Sequence, residues 1–270
     1  MKKLAFGVAV SASVFVAGSA LAADLPAPAY KAPAVAPFAY NWTGFYIGGN
    51  AGWVGSANST VTNVGTDTGA GGLGSVLAGG GLPASVNVPF SGFLGGGQIG
   101  YNWQINYWVV GLEADADWVS ARGSTTVVFP GGPFVPNTST YSRELDWLGT
   151  FRGRVGVTAT PSLLLYATGG LAVGQTRIGS TESCPAANPP CSSEPGMTNQ
   201  SSNTAVGWTV GAGTEWMFAP HWSLKAEYLY VDLGSHSSTI IYTYGANSST
   251  LTSTVRDTEN IARAGVNYHF

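Results

Sequence analysis

Charged side chains are scarce in this sequence of 270 residues: Asp, Glu, Lys and Arg together make up 9%, against about 25% in an average globular protein. The formal net charge is −3, so the chain lacks the basic surface that nucleic-acid binding requires. Apart from a short amino-terminal segment, no apolar run reaches the roughly 18 residues that a membrane-spanning helix needs. These absences exclude a nucleic-acid-binding protein and a protein anchored by membrane helices.

Cysteine is nearly absent as well, with Cys184 and Cys191 as the only two residues of this type. They lie seven positions apart in a segment that also contains Pro185, Pro189 and Pro190. A metal site would need further ligands nearby. If the chain is exported to an oxidising compartment, these two residues are predicted to form a disulfide that closes a small loop.

Glycine and aromatic residues are abundant in place of charge. The chain contains 38 Gly, 9 Trp and 12 Tyr, and average glycine usage is about 7%. A glycine-rich, aromatic chain with little charge and without membrane helices is typical of a transmembrane β-barrel, whose outer face meets lipid and whose ends carry aromatic girdles.

The amino terminus has the pattern of a secretory signal. Lys2 and Lys3 precede an apolar region from Leu4 to Val16, and small residues then lead to a predicted cleavage site after Ala22. Residues 23–42 are rich in Pro and Ala, which predicts an extended periplasmic tether without a core of its own. The remaining residues, 43–270, are predicted to form one barrel domain.

Alternation of apolar and polar residues with a period of two marks eight segments of this domain, and such alternation predicts strands with two unlike faces. In the clearest segment, Trp108 to Trp118, apolar side chains alternate with the carboxylates of Glu113, Asp115 and Asp117. The eight predicted strands are residues 43–54, 93–103, 108–118, 145–158, 163–174, 204–216, 222–233 and 258–270.

The connections between these strands alternate in length. Short turns follow the second, fourth and sixth strands, and long polar loops follow the first, third, fifth and seventh. Outer-membrane barrels have this asymmetry, with short periplasmic turns and long extracellular loops. A soluble barrel would instead place its apolar faces inside. The sequence therefore predicts an all-β fold, an eight-stranded antiparallel transmembrane β-barrel, in the outer membrane of a Gram-negative cell.

The last strand ends the chain on an aromatic residue. Its spacing of Arg263, Gly265, Tyr268 and Phe270 resembles the carboxy-terminal signal of bacterial outer-membrane barrels. This resemblance predicts that periplasmic chaperones and the barrel-assembly machinery are partners of the chain, in addition to outer-membrane lipid and lipopolysaccharide. The sequence does not predict an oligomeric state.

The inner faces of the predicted strands carry most of the charge. An eight-stranded barrel has an interior just wide enough for side chains to fill it, and buried charges there must be paired. We therefore predict an interior salt-bridge network that plugs and rigidifies the barrel. The alternative is a gated narrow pore in which the same pairs exchange partners. The predicted network consists of Glu113, Asp115, Asp117, Arg152, Arg154, Glu215, Lys225, Glu227 and Arg263.

Two weaker patterns do not support catalysis or cofactor binding. Residues 95–100 match G-x-G-x-x-G, but they continue into a strand, and a dinucleotide site needs a helix there. His221, His236 and His269 lie in a turn, a loop and the last strand, and Ser235 beside His236 forms no recognisable nucleophile–base–acid set. We predict neither an enzyme nor a cofactor.

Several segments resemble the alphaproteobacterial family of small outer-membrane immunogenic proteins, also grouped as a porin family. The resemblance is carried by Asn41–Trp53, Trp147–Gly156, Tyr166–Ala172 and Asn267–Phe270. It implies an eight-stranded barrel distantly like the membrane domain of outer-membrane protein A, surface-exposed antigenic loops and a structural role in envelope integrity. The alternatives are a narrow channel for ions or small solutes and a loop-based surface binding protein or adhesin.

Overall fold

The computed structural model describes residues 40–69, 72–80, 82–128, 138–183, 197–244 and 246–270. Almost all of this part of the chain is β-strand. The elements in chain order are β1 Gly44–Asn58, β2 Thr60–Asp67, α1 Leu73–Ala78, β3 Ser85–Asn87, β4 Ser91–Ile105, β5 Trp108–Val128, β6 Thr138–Thr160, β7 Leu163–Ser183, β8 Met197–Ala219, β9 Trp222–Tyr244 and β10 Asn247–His269.

Eight of the strands close into a ring. β1 pairs with β4, each strand from β4 to β10 pairs with the next, and β10 pairs back with β1. The closing register runs from Tyr46 opposite His269 to Ser56 opposite Glu259, and every pairing in the ring is antiparallel. The predicted eight-stranded antiparallel β-barrel is confirmed.

The prediction of long loops after the first, third, fifth and seventh strands is wrong in two respects. β2 and β3 are additional short strands, so the sheet has ten strands rather than eight; β2 pairs with the upper part of β10, from Ser249 to Val255. The strands from β5 to β10 are also 21 to 23 residues long, where a membrane crossing needs about 9–11. Their extracellular halves carry Ser and Thr on the outer face, so they lack the apolar alternation that marks a strand in lipid.

Two rings of exposed aromatic side chains delimit the lipid-facing band. On β5 the rings are marked by Trp108 and Trp118, which lie ten residues apart on the outer face. At about 3.3 Å per residue and a tilt of about 40°, this separation corresponds to roughly 25 Å, the height of the apolar band of an outer-membrane barrel. The lower ring includes Phe45, Trp103, Trp216, Trp222 and Phe270, and the upper ring includes Trp53, Phe93, Trp147, Trp208 and Tyr230.

The helix α1 has six residues and lies in the connection between β2 and β3. No helix in the described ranges is long and apolar enough to cross a membrane. The predicted signal peptide, most of the predicted tether and both cysteines lie outside the described residues. The cleavage site, the disulfide and the domain boundary at residue 42 therefore stay predictions.

Candidate functional site

The inward-facing side chains of β10 lie in successive layers along the axis of the barrel lumen. From the periplasmic end upward it presents His269 and Asn267, then Arg263, then Ile261, and then Glu259 and Asp257. All of these side chains are buried. Polar, apolar and again polar groups thus alternate along the barrel axis, and the candidate functional site is this filled lumen.

The lower polar layer contains the charges that the sequence pattern placed inside. All nine of the predicted side chains are buried, and ion pairs connect all of them. They come from five strands: β5 provides Glu113, Asp115 and Asp117, β6 provides Arg152 and Arg154, β8 provides Glu215, β9 provides Lys225 and Glu227, and β10 provides Arg263.

Arg152 occupies the middle of this network and is fully buried. Its Nη1 donates to Glu227 Oε1 at 3.0 Å across the lumen, and its Nη2 donates to Asp115 Oδ2 at 2.7 Å and to Glu113. Its Nε donates to Thr150 Oγ1 at 2.8 Å. All three guanidinium nitrogens are therefore satisfied, which is the condition under which a buried charge is tolerated.

Arg263 joins opposite walls in the same way. Its Nη1 donates to Asp117 Oδ2 at 2.8 Å, its Nη2 donates to Asp115 Oδ2 at 2.9 Å, and its Nε donates to Glu227 Oε2 at 2.9 Å. Because Arg152 and Arg263 share Asp115 and Glu227, the carboxylates of β5 and β9 are held together by two guanidinium groups.

The remaining pairs continue the network toward the periplasm. Lys225 Nζ donates to both oxygens of Glu113 at 2.6 and 2.8 Å, and Arg154 Nη2 donates to Glu215 Oε2 at 2.7 Å. Tyr46 OH bridges them, since it donates to Glu113 Oε2 at 2.7 Å and accepts from Arg154 Nη1 at 3.0 Å. The network therefore spans the lumen from wall to wall.

The prediction from charge alone missed the neutral members of this layer. Tyr166 OH donates to Glu227 Oε1 at 3.0 Å, and its ring lies under the guanidinium of Arg154 at 4.1 Å. Asn267 Nδ2 donates to Glu215 Oε1 at 2.7 Å, and Asn267 Oδ1 accepts from Gln98 Nε2 at 2.6 Å. The signal that could have found them is strand parity, because each lies on the same inner face as the charges.

An apolar layer lies directly above the network. Its side chains come from every strand of the ring and are buried together inside the barrel. Closely packed side chains in a protein interior leave few voids larger than a water molecule. The layer consists of Val54, Phe90, Leu94, Val119, Ala121, Leu145, Leu148, Ala172, Ala205, Leu229, Val231, Leu233 and Ile261.

A second, smaller group of charges lies above the apolar layer. Arg143 Nη2 donates to Asp257 Oδ1 at 2.5 Å, and its guanidinium stands over the ring of Phe90 at 4.8 Å. Glu259 is 1% exposed, and neither of its carboxyl oxygens has a hydrogen-bond partner in the part of the chain that the structure describes. The charge prediction included none of these three charged residues. Val61, Val86, Val88, Tyr141 and Val255 form a further apolar cluster toward the extracellular end.

Trp42 is buried within the periplasmic mouth of the barrel. Its backbone N–H donates to Gln104 Oε1 at 3.0 Å and its indole Nε1 donates to the Pro161 carbonyl at 3.1 Å. The ring packs with Val109, Leu164, Tyr166 and Met217. The last residue of the predicted tether thus contributes to the lumen packing.

A serine, a histidine and a glutamate meet beside Trp42 without forming a catalytic triad. Ser223 Oγ donates to Glu215 Oε1 at 2.6 Å, and His269 Nε2 lies 2.9 Å from Ser223 Oγ and 3.3 Å from the same carboxylate oxygen. In a triad the acid would contact the other ring nitrogen. Here the serine proton is directed to Glu215, and all three side chains are buried.

The other sequence candidates form no further site, although Gln98 and Arg263 belong to the lumen layer described above. Residues 95–100 lie inside β4, without a following helix. His236 Nε2 approaches the Leu233 carbonyl at 3.2 Å, and His221 lies in the turn before β9. Of the predicted carboxy-terminal signal, Tyr268 and Phe270 pack edge to face at 5.2 Å. Within the described ranges, no group of three or more His, Cys, Asp or Glu residues is arranged to hold a metal ion.

Similarity to known proteins agrees with this architecture. A family model described as the outer membrane protein beta-barrel domain matches residues 11–270. The chain belongs to this outer membrane β-barrel family. It is 34% identical over 273 residues to the 31 kDa outer-membrane immunogenic protein of Brucella melitensis, covering 97% of this chain and 98% of that protein. The outer-membrane location and the resemblance to the immunogenic proteins are confirmed.

Two further proteins match this chain over a shorter length or at lower identity. The 22 kDa outer membrane protein of Rhizobium leguminosarum is 33% identical over 142 residues, which is 52% of this chain and 53% of that protein. Among solved structures, the outer membrane protein OprG of Pseudomonas aeruginosa covers 85% of this chain and 98% of its own, with 12% identity and a TM-score of 0.41.

Proposed function

We propose that this protein is a structural, non-conducting barrel of the outer membrane that contributes to cell-envelope integrity and displays its extracellular strands and loops at the surface. The observation that carries the proposal is the stacking of Trp42, the charge network and the apolar layer along one lumen. An ion would have to separate several multiply bonded ion pairs and then cross a packed hydrocarbon layer.

The channel alternative lacks such an observation. The pairs of a gated pore would exchange partners, but Arg152 and Arg263 each hold three carboxylates at once, so releasing either guanidinium group would break several contacts together. A hollow of about 890 Å³ opens on the outer face of the barrel, where Ala51, Ala262 and Ala264 line it. That hollow faces lipid and provides no passage along the axis.

The surface-display part of the proposal is supported by strand length and by the relatives. The six long strands extend well past the upper aromatic ring, and relatives from Brucella are known as outer-membrane immunogenic proteins. A more specific role as an adhesin stays a hypothesis. It is tested by deleting residues 129–137 or 184–196 and asking whether host-cell binding is lost while the barrel still folds.

The proposed envelope role is tested in cells of the native species. Deleting the gene is expected to increase sensitivity to detergent and to bulky antibiotics, and the wild-type chain restores resistance. Complementation by a folded Arg256→Gln variant is the control and should restore resistance, since it removes an exposed arginine and leaves the buried network intact. A deletion that leaves the permeability barrier intact and reduces only the uptake of a small solute would contradict the structural role and favour the channel.

A further inference from the structure

The positively charged residues of the barrel fall into two groups. Of the eight Lys and Arg in the described ranges, five are buried in the lumen: Arg143, Arg152, Arg154, Lys225 and Arg263. The other three, Arg122, Arg177 and Arg256, lie on the outer surface, with side chains 74%, 52% and 59% exposed. The network does not use these three residues, and an outward arginine on a membrane protein needs its own explanation.

The exposed arginines lie at one level, just above the upper aromatic ring. Arg122 follows Trp118 by four residues on the outer face of β5. Gln175 lies at the level of Trp147, because its Oε1 accepts from the indole Nε1 of Trp147 at 3.1 Å. Arg177 lies two residues beyond Gln175 on the same strand. At about 3.3 Å per residue along a tilted strand, both lie roughly 5–10 Å beyond the rings. This is the headgroup level of the outer leaflet.

Two of these arginines form one patch. Glu144 on β6 is in register with Arg122 on one neighbouring strand and with Arg177 on the other. Arg177 Nε contacts Asp146 Oδ2 at 2.8 Å, and Arg122 Nε lies 3.8 Å from Glu144 Oε1. We define the rim patch as Arg122, Glu144, Asp146 and Arg177.

The outermost groups of the rim patch are the guanidinium ends. Both ion pairs use Nε, and within the described ranges no carboxylate or hydrogen-bond acceptor is paired with the terminal nitrogens of Arg122 or Arg177. The carboxylates of Glu144 and Asp146 are less exposed, at 31% and 22%. They hold the arginines in place, while the donors face outward. Arg256 differs, since its Nη2 contacts Asp232 Oδ2 at 2.6 Å.

We propose that the rim patch binds the phosphate groups of a phosphorylated glycolipid in the outer leaflet. The terminal nitrogens of Arg122 and Arg177 donate to phosphate oxygens, the geometry that guanidinium groups favour. Trp118, which is 76% exposed, and Trp147 lie below them and contact the apolar part of the same lipid. The outermost groups are thus guanidinium donors where the headgroup lies and aromatic rings where the hydrocarbon begins.

This inference goes beyond the structural role, because it requires only the outer-membrane location and not a closed lumen. The test uses the mature protein refolded in detergent micelles, with folding checked by heat-modifiable migration on a gel. Bis-phosphorylated lipid A is titrated in, and bound lipid is counted by native mass spectrometry. Dephosphorylated lipid A, phosphatidylglycerol and inorganic phosphate are titrated in parallel.

The Arg122→Gln/Arg177→Gln variant is expected to bind bis-phosphorylated lipid A about ten- to thirtyfold more weakly, since each basic residue at a membrane surface contributes about 1 kcal/mol. Arg256→Gln is the matched control, because it removes an exposed arginine whose Nη2 is already paired, and it should retain wild-type affinity. Dephosphorylated lipid A should bind the wild type as weakly as the double variant binds the phosphorylated form.

Three results would overturn the proposal. Unchanged binding by the folded double variant would show that the rim patch is not the site. Equal binding of phosphorylated and dephosphorylated lipid A would show that only the aromatic and apolar contacts matter. Binding of inorganic phosphate or phosphatidylglycerol with equal affinity would exclude a glycolipid docking surface. None of these results would affect a conductance measurement, so this proposal and the closed-barrel proposal fail independently.

Discussion

At the scale of single residues, Arg152 is the clearest test of the lumen network. It contacts Glu113 and Asp115 on the neighbouring strand and Glu227 across the lumen. Replacing it with Gln leaves buried carboxylates without their counter-charge, so Arg152→Gln is expected to lower the free energy of unfolding by about 3–5 kcal/mol. Urea titration of the refolded barrel in lipid, followed by tryptophan fluorescence, measures this loss.

The control for this prediction is Arg256→Gln. Arg256 also forms a short ion pair, with Asp232 at 2.6 Å, but it lies on the outer surface. Asp232 is buried, but it keeps the bond from the Gly234 backbone N–H at 2.9 Å when the exposed Arg256 is removed. The loss is therefore expected to stay near the value of about 0–1 kcal/mol that is typical of pairs at the surface. Equal losses from the two substitutions would contradict the network as a source of stability.

For Glu259 we expect the opposite effect on stability from that of Arg152. It is buried, and neither carboxyl oxygen has a hydrogen-bond partner among the described residues, whereas nearby Asp257 accepts from Arg143. Replacing this desolvated carboxyl group with the isosteric Gln removes no such contact, so Glu259→Gln is expected to be neutral or to stabilise the barrel by about 1 kcal/mol. Asp257→Asn should destabilise it under the same urea titration. A loss from Glu259→Gln as large as that from Asp257→Asn would show that Glu259 has a stabilising partner.

At the scale of secondary structure, the first extracellular connection is a folded element. Asp67 at the end of β2 accepts from Ser249 Oγ on β10 and from the backbone N–H groups of Gly74 and Ser75. The bond from Ser249 is the main cause that lowers the pKa of Asp67 to about 2, and the backbone bonds add to it. This carboxylate therefore holds α1 and β2 against the barrel.

Because the pKa of Asp67 is lower in the folded state than its ordinary value of 3.8, the contribution of this carboxylate is fully present above about pH 4 and is lost as the pH falls toward about 2. Asp67→Asn is expected to make the connection between β2 and β3 more sensitive to proteolysis at pH 7. Acidification toward pH 2 should bring the wild type to the variant's level of hydrogen exchange in this connection. Protection that is identical in both proteins across this range would contradict the role of Asp67.

The last strand provides a second element-scale prediction. Phe270 is exposed at the lower aromatic ring, where it packs on Tyr268. If this end is an assembly signal, Phe270→Ser should reduce the amount of barrel inserted in cells several-fold while leaving in-vitro stability nearly unchanged. Phe218→Ser, which removes an exposed aromatic from the same ring at the end of β8, is the matched control. Equal insertion of the two variants would contradict the signal.

Strand parity explains which elements the sequence could predict. Between the aromatic rings, lipid outside and a polar lumen inside impose a strict alternation, so this alternation was enough to predict the eight crossings and the inward direction of the nine charged side chains. Above the upper ring this constraint disappears. The hydroxyl oxygens of Thr126 and Thr140 lie 2.9 Å apart, as do those of Ser237 and Thr254. Segments rich in Ser and Thr are typical of loops, although here they belong to long strands.

At the scale of the whole molecule, the layering of the lumen could not be predicted from the sequence. It depends on the register between strands, which places Ile261 of β10, Leu229 of β9 and Val54 of β1 in one apolar layer. Alternation excludes a register slip of one residue, which would exchange the two faces, but it permits a slip of two, so turn geometry and packing decide the register that is adopted. The burial of Trp42 was likewise hidden, because its proline-rich surroundings indicate an extended tether.

The central claim is that the lumen does not conduct, and single-channel recording of the refolded mature protein in a planar bilayer tests it most directly. The preparation must show the heat-modifiable, sheet-rich form in lipid, so that an absence of conductance steps cannot be attributed to unfolded chain. We predict a folded barrel without conductance steps above the bilayer baseline. Steady, reproducible steps whose size changes when the charge at Arg152 or Glu113 is reversed would contradict the closed barrel and identify the network as a pore lining.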